Sequence, residues 1–194
     1  MIKVNKVEKP EFLIQFNKKN KPKNWKDFNN EIKNKLKEYM AKNEQNINGN
    51  YFCPCCEREI MIEKSQIEHI RPKDKFPNLF NEYSNFLVGC LENHTCGSAK
   101  GNKWNELFIN SVENNPEEYF EYDIKTGKIV PKHKTGKKNE RAIKTIEILN
   151  LNEKKLCEIR KVMIVEILKG GKENIKYIRK FPTLKIFLEN SFNR

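Results

Sequence analysis

Long apolar runs are missing from this chain, and nothing in it approaches the roughly twenty consecutive apolar residues that span a bilayer. The opening residues, Met1 to Lys6, hold no apolar stretch of signal-peptide length, so the expected compartment is the cytoplasm. Internal repeats and low-complexity tracts are absent too, and 194 residues suit one compact domain or one with appendages. Acidic residues are outnumbered, 26 against 38 basic ones, for a net charge of +12. A balance of that size favours a polyanionic partner. No basic segment also carries an exposed Trp/Phe/Leu face of the kind that inserts into a bilayer surface, so nucleic acid is the expected partner rather than membrane.

What the chain does have is six cysteines, five of them between Cys53 and Cys96. In a reducing cytosol, clustered cysteines point to metal ligation more than to disulfides. Cys53-Pro54-Cys55-Cys56 supplies a CxxC pair on a tight turn, and Cys90 and Cys96 form a looser second pair more than thirty positions downstream. Cys53, Cys56, Cys90 and Cys96 are therefore the expected ligands of a structural zinc ion. Cys55 and His94 are alternative ligands on the same grounds. Cys157 is remote and lies in an amphipathic stretch, where a buried thiol acts as a small hydrophobe.

Three segments are expected. Residues 1–48 are polar and basic, and Trp25, Phe28, Ile32 and Leu36 recur at helical spacing, which predicts one amphipathic helix with Lys26, Lys33, Lys35 and Lys37 on its other face. Residues 49–110 read as strand, loop, strand, helix, with strands at 65–71 and 85–90 and a helix over 98–110. Residues 111–194 open with YFEYDIKTGKIVP, whose alternation around Thr126-Gly127 predicts a β-hairpin. Helices then follow over 139–149, from an Asn152 cap through Leu168, and over 173–179, with Pro182 breaking the chain before a short final segment. The fold class is α+β.

Between the two cysteine pairs lies Gln66-Ile67-Glu68-His69-Ile70-Arg71-Pro72. A neutral imidazole suits the task of deprotonating water near neutral pH. Glu68 can offer an oxygen to a hard divalent cation such as magnesium. Alternation puts Glu68 and His69 on opposite faces unless the strand is ending, and Pro72 ends it. Asn85, just before Phe86-Leu87-Val88, is placed to orient the histidine by a hydrogen bond. Lys100 is placed near a helix start to meet a phosphate oxygen.

CxxC, then EHIRP, then an Asn before an apolar strand ending in Cys, then CGSAKGN, resembles the HNH, or ββα-metal, nucleases. The likeness is closest to bacterial HNH proteins encoded with anti-phage systems, the Septu nuclease PtuB and the retron-associated HNH proteins. It is strong over residues 51–104, weak over 142–160, and limited to helicity and basic charge over the first 48. The resemblance implies a zinc-stapled ββα-metal core at 49–110, flanked by an N-terminal helix, a hairpin and C-terminal helices. It implies a DNA endonuclease with His69 as general base, Glu68 as ligand of a working Mg²⁺ or Mn²⁺, Asn85 as the middle asparagine, and a PtuA-like ATPase as partner. Many members place a metal-binding His or Asn directly after the last cysteine, where this chain has Gly97. His94, Asn102 or a site with fewer protein groups are the candidates for that role. The alternative is a zinc-stapled module that holds nucleic acid or a partner without cutting.

Overall fold

The computed structural model describes residues 1–177 and 180–193 of the chain. It is a mixed α+β fold whose order is α1 (Glu11–Asn20), α2 (Asn30–Glu44), β1 (Asn46–Ile47), β2 (Asn50–Tyr51), β3 (Ser65–His69), β4 (Phe86–Cys90), α3 (Cys96–Lys100), β5 (Phe120–Tyr122), β6 (Ile129–Pro131), α4 (Gly136–Leu149), α5 (Lys154–Gly170) and α6 (Pro182–Phe192). The strands form three separate two-stranded antiparallel ribbons. One continuous hydrophobic cluster joins Met1 and Val4, the inner faces of α1 and α2, β4, and the buried residues Leu184 and Leu188 of α6. Among the described residues no helix is long and apolar enough to cross a membrane.

The first 48 residues depart from the single expected helix. Phe28, Ile32 and Leu36 are buried as their spacing predicts, but Trp25 and Phe28 precede the helix. Asn24 and Asp27 close a reciprocal capping box around a short 3₁₀ turn at Trp25–Asp27, and Asn29 then caps α2 by accepting from Ile32 N at 2.9 Å. Two caps five residues apart split what the apolar period reads as continuous. An additional helix, α1, precedes them and buries Leu13.

The central ribbon pairs Ser65 with Cys90 and His69 with Phe86, so β3 and β4 are each slightly shorter than expected. The helix foreseen over 98–110 is only α3. Gly101, with φ +48, takes the C-cap and its N–H reaches back to Gly97 O, after which Trp104 and Phe108 pack inward from turns.

The hairpin β5–β6 forms where its alternation places it. Two helix boundaries in the tail differ from the sequence expectation. Glu153, not Asn152, caps α5, because Asn152 spends its amide on β6, bonding both the N–H and the C=O of Ile129 at 2.8 and 2.9 Å. Pro182 starts a helix instead of breaking one: it sits at N1 of α6, where its missing N–H costs nothing. The expected helix over 173–179 is a 3₁₀ segment at Lys172–Tyr177, and its last two positions lie outside the described residues.

Candidate active site and thiol cluster

Four of the six thiols converge. Cys53 and Cys56 sit on a turn that Glu57, at φ +63, folds back on itself, with Cys53 N donating to Arg58 O and Glu57 N to Cys53 O. Cys90 ends β4 and Cys96 opens α3. Their sulfurs all lie within 4.8 Å of one another, with 3.8 Å between Cys53 and Cys96 and 3.7 Å between Cys56 and Cys90. A tetrahedral ion with metal–sulfur bonds of about 2.3 Å sets its sulfurs about 3.8 Å apart, so the donor set matches zinc in type and spacing. All four residues are buried, and four thiol donors are the full set of a closed structural site. Cys55 is half-buried and stands outside this set. His94 is exposed and joins neither the thiols nor the cleft described below.

The cluster ties distant parts of the chain together. Glu57, buried beside Cys56, accepts from Tyr122 Oη on the hairpin at 2.9 Å and from Thr183 N on α6 at 2.8 Å, and pairs with the Met1 ammonium. Burial pushes the carboxylate up, but the Met1 ammonium and Thr183 outweigh it and hold Glu57 below the ordinary value. Thr95, next to Cys96, donates its hydroxyl to Leu149 O at the end of α4.

Beside the cluster an open cleft of about 540 Å³ runs along β3. Because β3 belongs to a two-stranded ribbon and ends at His69, both Glu68 and His69 line this cleft despite being consecutive. The imidazole of His69 is only 7 % exposed and is wedged edge-on between Trp25 and Phe86, at ring-centre distances of 4.7 and 5.0 Å. Its Nε2 lies 3.0 Å from Phe80 O. A carbonyl only accepts, so Nε2 carries the proton and Nδ1 keeps its lone pair. Burial lowers the His69 pKa to about 4, which leaves the ring neutral at physiological pH.

Glu68 is held in a slot without side chains. A β-carbon on Gly97 would lie 1.9 Å from Glu68 Oε1, and one on Gly89 would lie 2.6 Å from Glu68 Cγ. Gln66, two positions back on the same strand face, donates to Oε1 at 2.5 Å. Burial raises the Glu68 pKa to about 6, with nearby Lys100 opposing that rise. Gly97 is therefore where the carboxylate needs room, which gives the glycine after the last cysteine a steric reason.

Two expected contacts are corrected. The amide of Asn85 does not reach the His69 ring: its oxygen accepts from Arg71 N at 2.8 Å, and its nitrogen donates to Arg71 O and Leu79 O at 3.0 and 3.2 Å. Asn85 thereby braces the loop whose next carbonyl, Phe80 O, holds the imidazole. Lys100 closes α3 instead of standing at a free helix start. It is 5 % exposed, and Nζ donates to His69 O at 2.8 Å, which fixes the backbone of the histidine. Asn102 does line the cleft, but its amide donates to Asp74 Oδ2 at 2.6 Å.

Sequence reasoning missed Trp25 and Gln66 as cleft residues. Strand alternation could have found Gln66, which shares a face with Glu68. Nothing local signals that Trp25, forty-four positions before His69, packs on its ring.

No known family profile matches the chain. It is 35 % identical over 134 residues to the "Retron Vc95 putative HNH endonuclease" of Vibrio cholerae serotype O1 biovar El Tor, a match covering 63 % of this chain and 64 % of that protein. The match thus spans a little less than two-thirds of either protein's length. A second relative, the "Retron Ec83 putative HNH endonuclease" of Escherichia coli, is 25 % identical over 209 aligned positions, 84 % of this chain and 79 % of that protein. The chain is similar, over most of its length, to proteins named as retron-associated HNH endonucleases.

Proposed function

We propose that this chain is a metal-dependent HNH endonuclease that hydrolyses phosphodiester bonds in DNA. A zinc ion held by Cys53, Cys56, Cys90 and Cys96 would be structural, and Glu68 and His69 would form the working site of a ββα-metal core. One observation carries the reading: a neutral imidazole with a fixed tautomer stands beside Glu68, among the described residues the one carboxylate lining an open cleft that also holds two lysines. The two retron-associated relatives support the same activity.

The donors in the cleft are a single carboxylate with amide and hydroxyl oxygens, including Asn93, Ser98 and Asn102. Such a set fits Mg²⁺ or Mn²⁺, hard ions that keep several waters and take few protein ligands. Bound there, the ion would supply positive charge to the scissile phosphate and the leaving oxygen. His69 Nδ1 takes the proton of the attacking water, and the bond from Nε2–H to Phe80 O steadies the ring as it becomes cationic. Trp25 and Phe86 prevent the ring from turning away, and Lys100 fixes the strand end beneath it. Exposed Lys73 meets a phosphate oxygen at the mouth of the cleft. The cellular role would be that of the nuclease subunit of a retron- or Septu-type anti-phage system in the bacterial cytoplasm, acting beside a PtuA-like ATPase.

Glu68→Gln tests the metal role. Cleavage should fall, and the Mg²⁺ concentration for half-maximal activity should rise by at least the roughly 10–100-fold typical of losing a mere supporting partner of a metal ligand. Excess Mn²⁺ should restore part of the rate. Unchanged metal dependence in this variant would remove Glu68 from the site.

Gly97→Ala should imitate that defect from a neighbouring position. The new methyl group meets the mobile end of the Glu68 side chain, so the fold can yield for about 1–3 kcal/mol, but the carboxylate must leave its slot. A cooperative melting curve lowered by roughly 2–12 °C, together with a Glu68→Gln-like metal titration, is the expected pair of results.

A further inference from the structure

A second groove of about 280 Å³ opens between α2 and the start of β3, and it shares Trp25, Gln66 and Ile67 with the His69 cleft. The two adjoin, with those three residues on the border between them. Among the described residues no carboxylate lines the groove, whereas Lys33, Lys37 and Asn34 do. The lysines of α2 divide sharply by position. On the outer face Lys35 pairs with Glu31 at 2.7 Å and Lys42 with Glu38 at 3.8 Å, each through an i,i+4 contact. Lys33 and Lys37, one helical turn apart on the groove face, make no ion pair among the described residues. Lys33 Nζ lies over the Trp25 ring at 5.3 Å from its centre, and Lys37 Nζ is steadied by Ile62 O and Ser65 O, both at 3.2 Å. Two cations are thus held in place along the groove with no anionic partner among the described residues.

We propose that this groove is the path of the DNA backbone leading away from the scissile phosphate, with Lys33 and Lys37 each neutralising one phosphate and Asn34 offering a further polar contact. The proposal rests on the nuclease reading and assigns its substrate a direction across the protein. It also separates the basic residues. Lys138, near the hairpin, is paired with Glu118 at 2.8 Å and is a weaker candidate for this contact.

The test uses the full chain carrying His69→Ala, so that DNA is bound without being cut, and a fluorescein-labelled DNA oligonucleotide as single strand and as duplex. Affinity is measured by anisotropy over a range of salt concentrations. K33Q/K37Q should flatten the slope of log affinity against log salt by about 1.4–1.8, at roughly 0.7 per phosphate contact for single strands and 0.9 for duplex. K35Q/K42Q, on the outer face, should leave the slope unchanged. A slope that K33Q/K37Q leaves at the parent value, or one that both double variants flatten equally, overturns the path. Because Lys37 also braces two carbonyls, K33Q alone is measured in parallel, with an expected flattening of about 0.7–0.9. If the wild-type chain cuts DNA and K33Q/K37Q does not alter the slope, the path fails while the nuclease reading stands. Failure of the parent to bind any DNA overturns both.

Discussion

Replacing His69 with alanine should leave a folded protein that binds DNA and cuts it at least about 10²–10⁴-fold more slowly, the usual contribution of a positioned general base. The expectation follows from how the ring is held. Its partners are a carbonyl and two aromatic edges, none of which belongs to the thiol cluster; Trp25 also borders the basic groove, but its own packing against Phe28 and Phe86 remains when the imidazole is removed. Truncation leaves Phe80 O without its donor, a loss of about 1–3 kcal/mol. A net stability on the order of 5–15 kcal/mol absorbs that. His69→Gln fills more of the space and should be equally inactive, because an amide cannot take the proton. Cleavage rates on plasmid DNA, with circular dichroism and DNA affinity measured on the same preparations, check all three statements. Wild-type cutting by His69→Ala would place the active site elsewhere.

Loss of the four-thiol site should have the opposite character, destroying the fold along with the activity. Structural zinc in small cysteine sites contributes an apparent binding energy of about 10–16 kcal/mol, comparable to or larger than the whole stability of a typical domain. Here the four ligands hold the start of the central segment, the end of β4 and the start of α3, and Glu57 carries the same constraint to the hairpin and α6. Cys53→Ser or Cys90→Ser should therefore lower the melting temperature steeply or yield insoluble protein. Metal analysis of the wild type should find about one zinc per chain. Cys55→Ser and Cys157→Ser are the controls, expected to keep both zinc and fold because neither thiol belongs to the four. A zinc-free wild type that melts cooperatively at the same temperature would refute the stapling.

Much of the site was legible because its chemistry is local. The CxxC turn, the Glu68-His69 pair and the paired cysteines around them each occupy a few adjacent residues, and a strand ribbon brings them together in a predictable register. The hairpin was legible for the same reason, since alternation around Thr126-Gly127 admits one pairing. What stayed hidden depends on distance or on competition between local signals. Trp25 continues the apolar period of α2, yet the caps at Asn24 and Asn29 detach it and place it on His69. Asn85 has the right address for orienting the histidine, but the backbone of Arg71 claims its amide. Asn152 has a helix cap's side chain, and β6 claims it first. Side-chain amides can serve several masters, and sequence position does not reveal which backbone will be nearest. Gly97, which looks like a missing ligand in the linear pattern, becomes intelligible only once the Glu68 carboxylate is seen against it.

The most direct measurement is cleavage by the purified wild-type chain, with zinc content followed in the same samples. Plasmid DNA is incubated with the protein in Mg²⁺, in Mn²⁺ and after brief chelation, alone and with the proposed PtuA-like ATPase. Cutting should require a divalent ion and should stop on chelation while about one zinc per chain remains bound and the fold persists. DNA that is bound in a salt-sensitive way but never cut, under any of these ions and with the ATPase present, would contradict the nuclease and leave a zinc-stapled binding module in its place.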